Sequence, residues 1–148
     1  MYPARFVISL RITHPSMDPE DISTQLHLKA SIKRKVGLRR TTPAGTLLAG
    51  TNDATFCVFE LDAKTRGHLD TSLNALTKKL FRLKPFLQKI RSTGGSIEYF
   101  IGLFVEKNTG IVLNRSLMAQ LVDLGMDISL DIYPPQRIQK KAARRTVR

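Results

Sequence analysis

The chain contains a single cysteine, Cys57, and no tryptophan. One thiol excludes an internal disulfide, and this favours a reducing compartment. No apolar run approaches the roughly 20 residues that span a bilayer. The first residues also lack a charged segment followed by a long apolar stretch, so we expect no secretory signal. These absences predict a soluble, cytoplasmic protein without a membrane span.

Motifs of known catalytic chemistry are also missing. His14, His27 and His68 lack the spacing of metal ligands, and no nucleophile elbow, phosphate loop or dinucleotide-binding glycine pattern is present. Asp127 and Asp131 would lie roughly 13 Å apart along a strand. That exceeds the roughly 9.5 Å that a two-carboxylate glycosidase uses at most. We expect no metal and no cofactor, and we favour a non-enzymatic protein, with an enzyme that uses an unrecognised site as an alternative.

Acidic residues are few: 12 stand against 24 lysines and arginines, for a net charge of +12. Residues 29–40 and 134–148 each carry six basic residues and no acid. Such an excess attracts nucleic acid, anionic membrane or an acidic protein, and the alternative is a solvated surface. The candidate basic surface comprises Lys33, Arg34, Lys35, Arg39, Arg40, Lys140, Lys141, Arg144 and Arg145.

Apolar alternation over residues 5–13 predicts a strand that is buried on one face. Asp18 and Pro19 then form a typical helix start. Residues 29–53 turn from basic to rich in Gly, Thr and Pro, which predicts a short edge strand and an irregular, mobile loop. The apolar run 55–61 predicts a central strand, covered at least partly on both sides.

Leucines and isoleucines recur between Leu69 and Ile90 with alternating spacings of four and three residues, which predicts a helix. The stripe fits a partner-helix seam or packing on the domain's own sheet, and we favour packing because the strands need a cover. Pro85 predicts a kink or a second helix. A strand at 96–105 and a helix between Asn114 and Gly125 follow.

The last predicted strand, 126–133, alternates apolar and polar residues. Met126, Ile128, Leu130 and Ile132 are predicted to point inward. Together the elements predict an α+β fold with a single mainly antiparallel sheet of about five strands and helices on one face. The order of strand and helix in 6–28 and 97–133 is compatible with two β-α-β-like halves. We divide the chain into a domain, 1–133, and a basic C-terminal tail, 134–148.

The outward face of the sheet is the first candidate site. We assign to it Arg11, Asp127, Asp131 and Tyr133, joined by Phe100 and Phe104 if their strand turns them outward. If the first and last strands are neighbours, Arg11 could form a solvated ion pair with Asp131. The alternative is a recognition face, because tyrosine and arginine are usual anchors of protein interfaces.

Several of these segments resemble one bacterial family, known as domain of unknown function 4279. They are the alternating first strand, Asp18-Pro19 with Ile22, Leu26 and Leu28, the leucine-rich helix from Leu73 to Leu87, and Leu121, Leu124 and Gly125 with the ending Asp131-Ile132-Tyr133. The resemblance covers about residues 5–133 and implies a small, stand-alone bacterial protein, with no catalytic residues to carry over. Family members often carry a tryptophan in the strand that corresponds to Thr55 to Leu61; this chain has none, and we expect Phe56 to take its place. The basic tail lies outside the family pattern.

These observations favour a protein-binding module, immunity-like or regulatory, with an acidic protein partner. A protein associated non-specifically with nucleic acid through the basic loop and tail is the alternative. That alternative has little support, because no aromatic residue lies among the basic ones of the tail and the sequence contains no nucleic-acid-binding motif.

Overall fold

The computed structural model describes residues 3–136 of the chain, which fold into seven strands and four helices. The strands are β1 (Ala4–His14), β2 (Ile32–Arg34), β3 (Arg39–Thr41), β4 (Leu47–Thr51), β5 (Thr55–Gly67), β6 (Ser96–Phe104) and β7 (Met126–Tyr133). The helices are α1 (Pro19–Leu26), α2 (Leu69–Leu80), α3 (Lys84–Ser92) and α4 (Arg115–Leu124). Within the described range, no helix has the length and apolar character needed to cross a membrane.

The main sheet has five strands in the order β2-β5-β1-β6-β7, so β1 lies at its centre. The β2–β5, β5–β1 and β1–β6 pairs are antiparallel, whereas β6 and β7 are parallel. The sheet is therefore mixed rather than purely antiparallel. Helix α4 explains the difference, because parallel neighbours need a crossover connection and α4 carries the chain from β6 back to the start of β7.

The two predicted halves, 6–28 and 97–133, each contain a strand followed by a helix, but the strand that completes the first half, β2, lies beyond its predicted end, and the two halves pair differently. β6 and β7 are direct neighbours, whereas β5 lies between β1 and β2. In the first half, β5 is therefore inserted between the two strands, whereas the two strands of the second half pair directly.

All four helices pack against the same face of the main sheet. Phe6, Ile8, Leu10 and Ile12 of β1 are fully buried in one cluster with the apolar residues of the helices. The leucine stripe contributes to this core, as predicted, through Leu69, Leu73, Leu80, Leu87 and Ile90. A turn of 3-10 helix, Phe81–Leu83, separates α2 from α3, and Pro85 stands in the first turn of α3. The proline therefore opens a new helix, where its missing N–H has no cost.

The helix ends follow the local signals in the sequence. The Asp18 side chain accepts a 2.8 Å hydrogen bond from the Glu20 N–H, and that of Asn114 accepts one of 2.8 Å from the Leu117 N–H. Gly125 ends α4 in the left-handed conformation, at φ 68°. These caps satisfy N–H and C=O groups that the helices cannot pair internally.

Residues 29–53 contain the predicted edge strand, β2, but the expected irregular loop is a β-ribbon. β3 and β4 form a separate two-stranded sheet, closed by a hydrogen bond from the Thr42 N–H to the Thr46 carbonyl at 2.8 Å. Gly45 supplies the positive φ, 87°, that the turn needs. The ribbon shows no apolar alternation because it buries neither face, and Leu38 and Leu47 stay exposed.

The inward side of β7 is only partly covered, in contrast to its predicted burial. Met126 is buried, whereas Leu130 and Ile132 are 49% and 55% exposed. β7 is an edge strand, and its second half runs beyond the helices that cover its start.

Candidate functional site

In the part of the chain that the structure describes, residues 3–136, the second face of the main sheet carries no helix, and we call it the open face. It consists of Arg5, Val7, Ser9, Arg11 and Thr13 of β1, Glu98, Phe100, Gly102 and Phe104 of β6, and Asp127, Ser129, Asp131 and Tyr133 of β7, with their partners on β5. The four residues predicted for a sheet-face site therefore share one surface. Phe100 and Phe104 lie on it too, because β6 turns their side chains to the same side as Ser9 and Arg5 of β1.

Arg11 stacks on an aromatic ring and does not pair with Asp131. Its guanidinium carbon lies 3.5 Å from the centre of the Phe100 ring. β6 separates β1 from β7, and within residues 3–136 no ion pair joins Arg11 to Asp131. The Arg11 Nε is shielded from solvent and has no hydrogen-bond partner there.

A second arginine, which the sequence reading missed, completes an aromatic row at the end of the open face. The guanidinium carbon of Arg5 lies 4.3 Å from the centre of the Phe104 ring. The Phe104 ring stacks on Tyr133 at 4.8 Å, with 12° between the ring planes. Arg5, Phe104 and Tyr133 stand opposite one another on three neighbouring strands. The alternation of β1 carried the signal, since it places Arg5 on the same side as Arg11.

The carboxylates of the open face differ in their contacts. Asp131 accepts a 2.6 Å hydrogen bond from the Tyr133 hydroxyl, and this bond together with the charge of Asp131 raises the pKa of Tyr133. Glu98 accepts a 2.6 Å hydrogen bond from Ser129. Asp127 is exposed, at the beginning of β7. The face therefore presents acids interspersed with its arginines.

The predicted basic surface is partly neutralised. Lys33 forms an ion pair with Glu20, and Lys35 forms one with Asp18 at 2.8 Å. The bond to Lys35 lowers the pKa of Asp18 and raises that of Lys35. The acids of the α1 N-terminus thus compensate two lysines of this segment.

The remaining arginines of the segment have weaker or backbone contacts. Arg39 Nε donates a 3.1 Å hydrogen bond to the Leu48 carbonyl, and Arg34 lies 5.7 Å from the Phe56 ring centre. Arg40 belongs to β3 and is exposed. The other four members of the predicted basic surface, Lys140, Lys141, Arg144 and Arg145, lie outside the described residues, as does most of the predicted tail.

A depression of about 970 Å³ lies at the end of the sheet, beside the aromatic row. Its cationic lining comes from Arg5, Arg66 and Lys107, at the start of β1, the end of β5 and just after β6. Sequence reading missed this depression because the three cations are far apart in the chain.

Groups that often carry catalysis have structural roles in the core. Burial raises the pKa of the Cys57 thiol to about 11, which keeps it protonated at neutral pH. His14 Nδ1 accepts hydrogen bonds from the N–H groups of Ser16 and Met17, at 3.0 and 2.8 Å, and its Nε2 lies 2.7 Å from the Thr93 hydroxyl. Across residues 3–136, no group of three or more His, Cys, Asp or Glu side chains could hold a metal ion.

Comparison with known proteins gives one match. The model of a family described as "Domain of unknown function (DUF4279)" matches residues 4–135. No curated protein and no solved structure matches the chain. The matched residues include every strand and helix of the fold and the whole open face.

Proposed function

The chain belongs to the DUF4279 family, as its sequence motifs indicated, and we propose that it is a non-enzymatic protein-binding module that holds its partner on the open face. The observation that carries this proposal is the set of stacked side chains there. Two arginines lie over phenylalanine rings, and Tyr133 stacks on one of those rings. Arginine and tyrosine dominate the binding energy of many protein interfaces. A module of this size would act by covering its partner, in an immunity-like or regulatory role.

The mixed charge of the open face supports a protein partner over nucleic acid. Arg5 and Arg11 alternate there with Glu98, Asp127 and Asp131. A phosphate backbone would be repelled by these carboxylates, whereas a protein surface can match both signs.

We further propose that the protein acts in the bacterial cytoplasm. The single cysteine, Cys57, is a buried free thiol. A fold without a disulfide needs no oxidising compartment, and this supports the proposal.

Site-specific photo-crosslinking in the native cell tests the open face. A photoreactive phenylalanine analogue replaces Tyr133, which is 44% exposed, and in a control chain it replaces Met118, which is 49% exposed on α4. We expect a protein adduct of one defined mass from position 133 and none from position 118. Equal adducts from both positions, or no protein adduct at 133, would contradict the proposal.

An alanine variant then tests the energetic role of the stacked arginine. With the captured partner purified, Arg11→Ala should weaken binding by about tenfold or more, which corresponds to about 1.4 kcal/mol. A variant of an exposed arginine away from the open face, Arg82→Ala, is the control and should bind as the wild type does. Circular dichroism establishes that both variants are folded.

A nucleic-acid-associated function is the alternative outcome. It would appear as a nucleic acid adduct at position 133, or as binding that weakens steeply with salt and disappears when residues 134–148 are deleted. The ion pairs of Lys33 and Lys35 with α1 count against this alternative, because they remove two cations from the surface that would contact phosphates.

A further inference from the structure

We propose that the depression at the end of the sheet binds an acidic, extended segment of the partner protein. This inference rests on the proposed function and specifies the chemistry of the partner. The depression is continuous with the open face, because Arg5, Phe104 and Tyr133 belong to both. A partner seated on the open face would therefore extend directly into it.

The charge of the lining selects an acidic ligand. Arg5, Arg66 and Lys107 face one acid, Glu106, which leaves an excess of two positive charges, 3 − 1. In the described part of the chain none of these three cations forms an ion pair. All three residues are exposed, and a concave surface lined by charges of one sign raises the local concentration of an oppositely charged ligand.

Arg5 is positioned in advance for a carboxylate. Its guanidinium lies over the Phe104 ring, and Phe104 is in turn held by its stacking on Tyr133. Stacking uses the flat side of a guanidinium and leaves its N–H donors free in the plane of the group. That geometry allows two parallel hydrogen bonds to one carboxylate, which a lysine cannot provide.

Three prolines restrict the backbone beside the depression. Pro3, Pro134 and Pro135 line it, and proline fixes its own φ angle. Because these φ angles are already fixed, ligand binding has less backbone freedom to remove at these three positions. The volume of about 970 Å³ is near the upper end of the roughly 300–1,000 Å³ of ligand pockets. It is sufficient for several side chains of an extended segment.

The sequence beyond the rim agrees in charge. Gln136 lines the depression, and the twelve residues that follow it in the sequence carry six basic residues and no acid. The segment that continues the chain from this end of the sheet is therefore basic in sequence, which agrees with an acidic ligand.

Fluorescence anisotropy with labelled oligoglutamate tests this inference on the full chain. The test variant is Arg5→Gln/Arg66→Gln/Lys107→Gln. The control, Lys79→Gln/Arg82→Gln/Lys89→Gln, removes the same charge from exposed positions on the helical side. We expect oligoglutamate to bind the wild type, to bind the test variant about tenfold more weakly or worse, and to bind the control within about twofold of the wild type. Thermal melting checks that both variants fold.

Three results would overturn the inference. The first is that oligoglutamate does not bind the wild type. The second is that binding weakens equally in the test and control variants, which would show a general effect of net charge. The third is that an oligothymidylate of equal length binds more tightly through the same three residues, which assigns the depression to phosphates. If only the inference about the depression is wrong, the photo-crosslink at position 133 still forms. If the proposed function is wrong, that crosslink is absent while oligoglutamate still binds.

Discussion

The Tyr133 hydroxyl donates a 2.6 Å hydrogen bond to Oδ2 of Asp131, two positions earlier on the same strand. Asp131 stands opposite Gly102 on β6, and the Tyr133 ring leans over that glycine: a Cβ on Gly102 would lie 3.7 Å from Tyr133 Cε2. The ring is thus held by Asp131 at its hydroxyl and by Phe104 on one side, and it extends over the position of Gly102. The aromatic row is preorganised before any partner binds, which reduces the entropy that binding must overcome.

Removing the charge of Asp131 should lower the pKa of Tyr133. The bond to Asp131 stabilises the protonated hydroxyl, and the carboxylate opposes formation of the phenolate. In Asp131→Asn, we expect the pKa of Tyr133 to fall towards the ordinary tyrosine value. A pH titration of ¹³C-labelled tyrosine by NMR measures it. Asp127→Asn, on the same face and strand, is the control, and an equal change in both variants would contradict the role of the bond.

The buried contact between Thr77 and Tyr99 should contribute to stability. Their hydroxyl oxygens are 3.0 Å apart, both residues are fully buried, and burial raises the pKa of Tyr99 to about 12. Thr77→Val leaves the Tyr99 hydroxyl without a partner and should lower the free energy of unfolding by about 1–3 kcal/mol.

Urea unfolding measures this loss, with Thr71→Val on the exposed side of the same helix as the control. The control should change stability by no more than about 0.5 kcal/mol. In the double variant Thr77→Val/Tyr99→Phe, both polar groups are gone, so part of the loss should be recovered. Strictly additive losses would show that the hydroxyls do not interact.

His14 should make the protein less stable in mild acid. Its Nδ1 accepts two backbone N–H bonds, so this nitrogen carries no proton in the fold, and burial lowers the pKa of the imidazole. Because the folded pKa lies below the unfolded one, the unfolded chain binds more protons as the pH falls through about 6.5. The stabilisation is complete above that pH and is lost below it.

The difference in unfolding free energy between about pH 7.5 and pH 5 measures this contribution. His14→Asn should show a smaller loss than the wild type over that interval. His68→Asn, which removes an exposed histidine, is the control. If His14→Asn keeps the full pH dependence, another group is responsible.

Gly95 should not tolerate a side chain. A Cβ there would lie 2.6 Å from Ile90 Cγ2, 2.8 Å from the Ile90 carbonyl oxygen and 2.8 Å from His14 Cδ2. Gly95→Ala should therefore destabilise the fold by about 1–3 kcal/mol through overpacking. Gly110→Ala should instead leave stability unchanged or raise it slightly. Nothing lies within 4 Å of the Cβ position there, and alanine reduces the conformational freedom of the unfolded chain. Thermal melting of both variants measures the change in stability. A clearly lower melting temperature for Gly95→Ala than for Gly110→Ala shows that the close neighbours of Gly95 exclude a side chain.

Local features of the fold could be predicted from the sequence, whereas strand pairing could not. The alternation of β1, the caps at Asp18 and Asn114 and the leucine stripe each depend on neighbours in the chain, and the structure has them as expected. The parallel pairing of β6 with β7 depends on where α4 returns the chain. The β3–β4 ribbon rests on hydrogen bonds rather than apolar burial, so its sequence carries no periodic signal.

The same distinction applies to the candidate site. Alternation alone placed Arg11, Asp131 and Tyr133 on one face. It could not show that β6 separates Arg11 from Asp131, so that Phe100 becomes the neighbour of the guanidinium. The depression also escaped prediction, because its lining joins the ends of strands that only the sheet order brings together.

The central position of β1 has a consequence for synthesis on the ribosome. β1 is made first, yet its two partners end at Gly67 and Phe104, and Ile8 pairs with Ile101. One edge of this strongly apolar strand therefore stays unpaired until β5 has been translated, and the other edge stays unpaired until β6 has been translated. Pairing over such sequence distances is slow, and a nascent chain with open strand edges is prone to aggregate. We therefore expect folding in the cell to benefit from protection of the β6-facing edge of β1 until β6 emerges.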